Sequence, residues 1–303
     1  MSSPEPNKTS SGDAGTDGYG RFGYGRFIDW LDDHPRDLDA IVLDVDGVLL
    51  LAKEATPGSR ELLTRLRADG LPFLLLTNDG DHSPVEKAAT LQACGLEIQA
   101  TEIVSCAHGL GTVAKEHGCE GELFYVMGNL GTPCYAEAAH LRTTRELAEL
   151  PRCRGVIVGE DNYDWEPVIN AVVNFFIAHP EALLVTPNPD EYYPDGRGSI
   201  RLAAGSVARL IQRALATYGR LKAPLFLGKP HGPIFQTAHR RLERGVGRAI
   251  AKNRVLMIGD NLESDVAGAS AFGYRSAIVL TGITTPAMLA DASLTPDWVW
   301  PGL

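Results

Sequence analysis

Short runs in which every side chain is apolar recur along this chain, and they limit its fold more than any other feature. Ala40-Ile41-Val42-Leu43, Phe73-Leu74-Leu75-Leu76, Val255-Leu256-Met257-Ile258 and Ala277-Ile278-Val279-Leu280 are too short for buried helices. A strand covered on both faces has this pattern. Helical segments lie between them. Arg60 to Ala68 places Leu62, Leu63 and Leu66 on one face and stops before Gly70. Ser83-Pro84-Val85-Glu86 is a capping box with proline at the first helical position, and predicts a helix running to about Gly95. Ser264 to Phe272 predicts another. Alternation of this kind predicts an α/β fold, a doubly wound parallel sheet covered by helices.

A second α/β rhythm interrupts the first. Leu123 to Met127, Gly155 to Val158 and Leu183 to Val185 read as strands, and Val168 to Ile177 as a helix. So long a stretch is no loop. The division expected is a core of residues 27–109 and 206–303, with an inserted α/β domain of residues 110–205. Residues 1–26 are expected to be a disordered or extended arm, with Phe27 to Leu31 opening a short amphipathic helix. The arm carries a tandem Gly-Tyr-Gly-Arg-Phe from Gly18 to Phe27, whose aromatic rings would pack on the body or on a partner.

The net charge of −10 disfavours nucleic acid and anionic membranes as partners, and draws any anionic ligand to a local site rather than to the overall field. Five cysteines without Cys-x-x-Cys spacing argue against a disulfide framework or structural zinc. No apolar run is long enough to span a membrane, and the N-terminal residues are polar, so a cytoplasmic protein is expected.

Four motifs follow predicted strands, where open parallel sheets bind ligands. Asp44-Val45-Asp46-Gly47 holds two carboxylates that repel unless a cation or a proton intervenes; a solvated acidic loop is the alternative. Thr77-Asn78 offers a hydroxyl and an amide to a phosphate, or simply starts a turn. Gly228-Lys229-Pro230 offers a cation but is not a nucleotide-binding P-loop, since proline stands where serine or threonine is needed. Gly259-Asp260-Asn261-Leu262-Glu263-Ser264-Asp265 suits a hard cation, although Glu263 would equally complement a helix dipole.

In this order, from about residue 38 to 285, the motifs closely resemble the haloacid dehalogenase superfamily of phosphatases. The long insertion and the phrases Val158-Gly159-Glu160-Asp161, Thr186-Pro187-Asn188-Pro189-Asp190 and Ala203-Ala204-Gly205-Ser206 resemble subclass IIA, which has a large α/β cap on a Rossmann-like core. Nitrophenylphosphatases, phosphoglycolate and pyridoxal-phosphate phosphatases and nucleotidases belong to it. The resemblance implies a magnesium-dependent phosphatase acting on a small phosphorylated metabolite, with a homodimer left open. It implies that Asp44 is the nucleophile and Asp46 the general acid and base. Mg²⁺ would be held by Asp44, the carbonyl of Asp46 and Asp260, with Asp265 in support. Thr77, Asn78 and Lys229 would bind the phosphoryl oxygens. Asn188 and Asp190 of the cap are candidates for the leaving group, with Asn162, Tyr163, Trp165 and Tyr193 nearby in sequence. Other outcomes on the same scaffold are a phosphotransferase or mutase, a non-catalytic binder of phosphometabolites, and a dehalogenase. The intact motifs argue against the binder, and Asp46 with the acidic metal site against the dehalogenase. One departure stands out. Asp79-Gly80-Asp81-His82 puts two more acids beside the phosphate motif, where neutral residues are usual; they would have to face solvent, bind a cation or meet a cationic substrate group, and solvent exposure is expected.

Overall fold

In the computed structural model the described residues are 21–22, 25–34, 37–161, 163–194, 199–220 and 222–303. Most of the expected arm, residues 1–20 and 23–24, and Asn162 lie outside them. The apolar runs form a seven-stranded sheet in which every pairing is parallel. Its order is Arg21–Phe22, Trp298–Trp300, Arg275–Val279, Val255–Gly259, Ala40–Leu43, Phe73–Thr77 and Ile103–Ser105. Side chains alternate across it. Ile41, Leu43, Leu75 and Leu256 pack with Leu62 and Leu66 of helix Ser59–Ala68 on one face. Ala40, Val42, Leu76 and Met257 pack with Ile234 and Phe235 of helix Gly232–Val246 on the other. The central strand is completely buried, as its composition requires.

A second parallel sheet has the order Leu225–Phe226, Leu183–Thr186, Gly155–Val158, Leu123–Met127 and Arg142–Thr144. Helices Trp165–Ala178 and Ala204–Thr217 pack together on one of its faces. The expected end of the insertion at residue 205 falls inside the second of these helices, and strand Leu225–Phe226 lies beyond it. That strand reads as core in the sequence, yet it pairs with Leu183–Thr186.

Helix Pro84–Ala93 starts as its capping box demands: Glu86 N–H donates to Ser83 Oγ and Ser83 N–H to Glu86 Oε2. The helix expected from Ser264 differs in detail. A π-helical turn, Leu262–Val266, precedes the α-helix Ala267–Phe272. Asn261 Oδ1 accepts from the N–H groups of Glu263 and Ser264, while Asp265 Oδ2 accepts from those of Asp260 and Asn261. The widened turn thereby points Asp265 back at the strand end. Among the described residues no helix is long and apolar enough to cross a membrane.

Candidate active site

Asp44 follows strand Ala40–Leu43 and Asp260 follows its neighbour Val255–Gly259, so parallel pairing sets the two carboxylates side by side. The π turn adds Asp265. One carboxylate oxygen from each of the three lies within 4.8 Å of the others, and all three residues are buried. Glycine is required here, because a Cβ on Gly47 would stand 2.1 Å from Asp260 Oδ2. With φ +87°, Gly47 also takes a backbone conformation that side chains disfavour.

Lys229 reaches this cluster from the second sheet. Its Nζ is 2.6 Å from Asp44 Oδ1 and 2.7 Å from Asp265 Oδ1. Asn78 clamps the lysine's backbone: its Oδ1 accepts from Lys229 N–H at 2.8 Å, and its Nδ2 donates to the Lys229 carbonyl at 3.0 Å. The same Nδ2 donates to Asp190 Oδ1 at 2.9 Å. The Asn78 amide is thus fully engaged within the protein. Thr77 Oγ1 accepts from Asp79 N–H and keeps its own proton to donate.

Three buried acids face one ammonium. Burial raises the Asp44 carboxyl well above the usual range, against the pull of Lys229, and Asp265 and Asp260 push it further. Burial, then the Asp265 charge, lifts Asp260 to about 7. For Lys229 burial works against the charge, but Asp265 and Asp44 outweigh it and hold the ammonium protonated. Such a set carries an excess of negative charge that a hard divalent cation with oxygen ligands would neutralise, so the residues fit Mg²⁺.

Asp46 lies apart from this cluster, and its side chain is 68 % exposed. Its Oδ2 meets Lys87 Nζ at 3.1 Å. Lys87 is buried, and its ammonium also binds Asp79 Oδ2 at 3.0 Å. Asp79 is only 15 % exposed and is paired with His82 as well. The solvent-facing reading of Asp79 is therefore incorrect: despite burial, His82 and Lys87 hold its carboxyl far below the usual range. Asp81 is half-buried beside Asn129, and burial raises its pKa.

The cap residues are tied mainly to one another. Asn188 Nδ2 donates to Glu160 Oε1 at 2.8 Å, and Asn188 Oδ1 accepts from Asp190 N–H at 2.9 Å. Ala204 N–H donates to Glu160 Oε2. Tyr163 stacks on the half-exposed Trp165, with ring centroids 5.8 Å apart. Both line a cleft of about 300 Å³ with Glu160, Asp161 and Arg201. Tyr193 donates its hydroxyl to Asp161. Lys87 and Glu160 have no role in the sequence reading. The signal for Lys87 is that it shares a helical stripe with the buried Ala88 and Leu91.

Two family models match the chain. A haloacid dehalogenase-like hydrolase model covers residues 41–142, and a HAD-hydrolase-like model covers residues 226–303. Ribonucleotide monophosphatase NagD of Escherichia coli K12 is 25 % identical over 87 % of this chain and 96 % of its own. Dihydroxyacetone phosphatase of Corynebacterium glutamicum is 28 % identical over 84 % of this chain and 86 % of its own. Among solved structures, a 4-nitrophenylphosphatase of Thermotoga maritima superposes with a TM-score of 0.74 at 23 % identity, covering 88 % of this chain and 95 % of the other.

Proposed function

Since the chain belongs to the haloacid dehalogenase-like hydrolases and is one of their phosphatases, we propose that it hydrolyses a small phosphomonoester by way of a phosphoryl group carried on Asp44. The contact that carries this reading is the ion pair of Lys229 with Asp44 Oδ1. It leaves Oδ2, which accepts no hydrogen bond among the described residues, as the oxygen to face phosphorus. As the Oδ2–P bond forms, the bond from phosphorus to the ester oxygen breaks, and Asp46 gives that oxygen a proton. Water then attacks the acyl-phosphate and Asp46 takes its proton. The Asp44–P bond breaks, which restores the carboxylate and releases inorganic phosphate.

Lys229 contributes charge at the phosphoryl oxygens and Thr77 its hydroxyl, while Asn78 holds the Lys229 loop in place. Asp44, Asp260 and the carbonyl of Asp46 would hold Mg²⁺, with Asp265 in support, and the ion would offset repulsion between carboxylate and phosphate.

The second sheet and its helices serve as the cap, from residue 110 to about Phe226 so that its five strands stay together. The Asn78–Asp190 bond draws the cap loop onto the phosphoryl site, which favours small esters over phosphoproteins. Release of phosphate from a panel of small phosphate esters, with and without EDTA, tests the proposal. Turnover that stops with EDTA and returns with Mg²⁺ is the expected result. Turnover indifferent to EDTA, or no release from any ester, would overturn it.

A further inference from the structure

Lys87 forms a buried link between the expected general acid and the phosphate-motif loop. The backbone at Asp46 is fixed independently: Gly47 N–H donates to the Leu50 carbonyl at 2.7 Å, and Thr281 donates to the Gly47 carbonyl at 2.6 Å. The Asp46 side chain has one protein partner among the described residues, Lys87 Nζ on Oδ2. The other oxygen, Oδ1, meets none. Lys87 is itself anchored at both ends. Its N–H donates to the Ser83 carbonyl in the first helical turn, and its Nζ binds Asp79 Oδ2. Asp79 Oδ1 in turn accepts from the N–H groups of Asp81 and His82, so the loop fixes the carboxylate that fixes the lysine. A lysine stem buried to this extent has few rotamers left, and its ammonium is a rigid point of attachment.

We propose that Lys87 is a positioning residue for Asp46. It pins Oδ2 and leaves Oδ1 to pass the proton to the leaving oxygen and later to take one from water. Asp79 belongs to the same device, because it binds the same ammonium. The inference rests on the acid–base reading of Asp46 given above.

The test separates the two claims. The kcat/KM is measured against leaving-group pKa for a series from p-nitrophenyl phosphate to alkyl phosphates, in wild type, Lys87→Met, Asp46→Asn and the double variant. A displaced general acid costs most where the leaving group needs its proton. Lys87→Met should lose about 10²-fold on alkyl phosphates and under about 3-fold on p-nitrophenyl phosphate, the scale of a misplaced catalytic group. The inhibition constant for inorganic phosphate should stay within about 2-fold, since phosphoryl binding is untouched. In the Asp46→Asn background the lysine substitution should add nothing. Equal losses on all esters, a weakened phosphate constant, or additivity in the double variant would overturn the positioning role. If Asp46→Asn itself shows no dependence on the leaving group, the acid role of Asp46 falls first and this inference with it. Should Lys87→Met fail to fold because Asp79 is left buried without its cation, Lys87→Met/Asp79→Asn removes the pair together and carries the same comparison.

Discussion

Both sheets end their strands in acids, but the two sets are treated differently. At the tips of the first sheet, Asp44, Asp260 and Asp265 crowd together, with Lys229 as the paired cation among the described residues. At the tips of the second, each acid has its own partners. Glu160 accepts from Asn188 and Ala204, and Asp161 from Tyr193 and Arg201. Asp190 accepts from Asn78. The second arrangement satisfies its acids within the protein. The first leaves a repulsion that the fold alone does not resolve and that a bound cation would relieve. Mutations should therefore trade activity for stability in the first set and mostly affect conformation in the second.

The largest effect is expected at Asp44. Asp44→Asn should cut kcat on p-nitrophenyl phosphate by at least about 10⁴-fold, because an amide cannot accept the phosphoryl group. Its Tm should equal or exceed that of wild type, since one of three crowded buried acids is gone and Lys229 keeps Asp265 as its partner. Loss of activity with a large drop in Tm would mean that the acids are structural after all.

The next effect is that of the metal. Saturating Mg²⁺ at about 100 times its Kd should stabilise the protein by about 2.7 kcal/mol, read as a rise in Tm. Asp260→Asn should shrink that rise and the activity together. A Tm rise unchanged in this variant would place the ion elsewhere.

The contrast between the sheets also marks what the sequence discloses. Asp44 is legible because it follows an apolar run directly, and Asp260 and Lys229 because each follows one after a single glycine, where a charge has few structural uses. Family resemblance then orders them. Sheet membership is harder to read. Leu225–Phe226 has two residues and precedes the Lys229 loop, so it resembles another core strand; only three-dimensional pairing assigns it to the second sheet. Asp79 reads as a solvated loop acid, and the place of Lys87 beside Ala88 and Leu91 is a faint signal, because burial of a lysine depends on how its helix is set against neighbouring loops. Here Ser83 Oγ donates to the Thr132 carbonyl and ties the start of the helix to a distant loop. In the cap, nothing in the sequence signals that Asn188 donates to Glu160 or that Asp190 accepts from Asn78, because both bonds join segments far apart in the chain.

Asp190 offers a way to sharpen the comparison at smaller scale. Removing its bond to Asn78 should cost about 1 kcal/mol of cap closure. Asp190→Ala should then lower kcat/KM about 5-fold for every ester, p-nitrophenyl phosphate included. A loss confined to particular natural esters would instead show that the carboxylate touches the leaving group.

The smallest effect is one of pH, at Glu160. Burial, only partly offset by the hydrogen bonds from Asn188 and Ala204, lifts its carboxyl from 4.5 to about 7. A group whose folded pKa is raised binds its proton more tightly in the native state. Its contribution is fully present below pH 4.5 and is lost as pH rises through about 7. Ionisation at Glu160 should therefore cost up to about 3 kcal/mol across that window, and less to the extent that the cap relaxes. Glu160→Gln cannot ionise, so its stability should fall less than that of wild type between pH 5 and pH 8, as followed by chemical denaturation. Asp260 titrates in the same direction in both proteins, and the difference between the two profiles isolates Glu160. Parallel profiles would mean that Glu160 is already ionised at pH 5, and that its two donors suffice to hold a buried carboxylate.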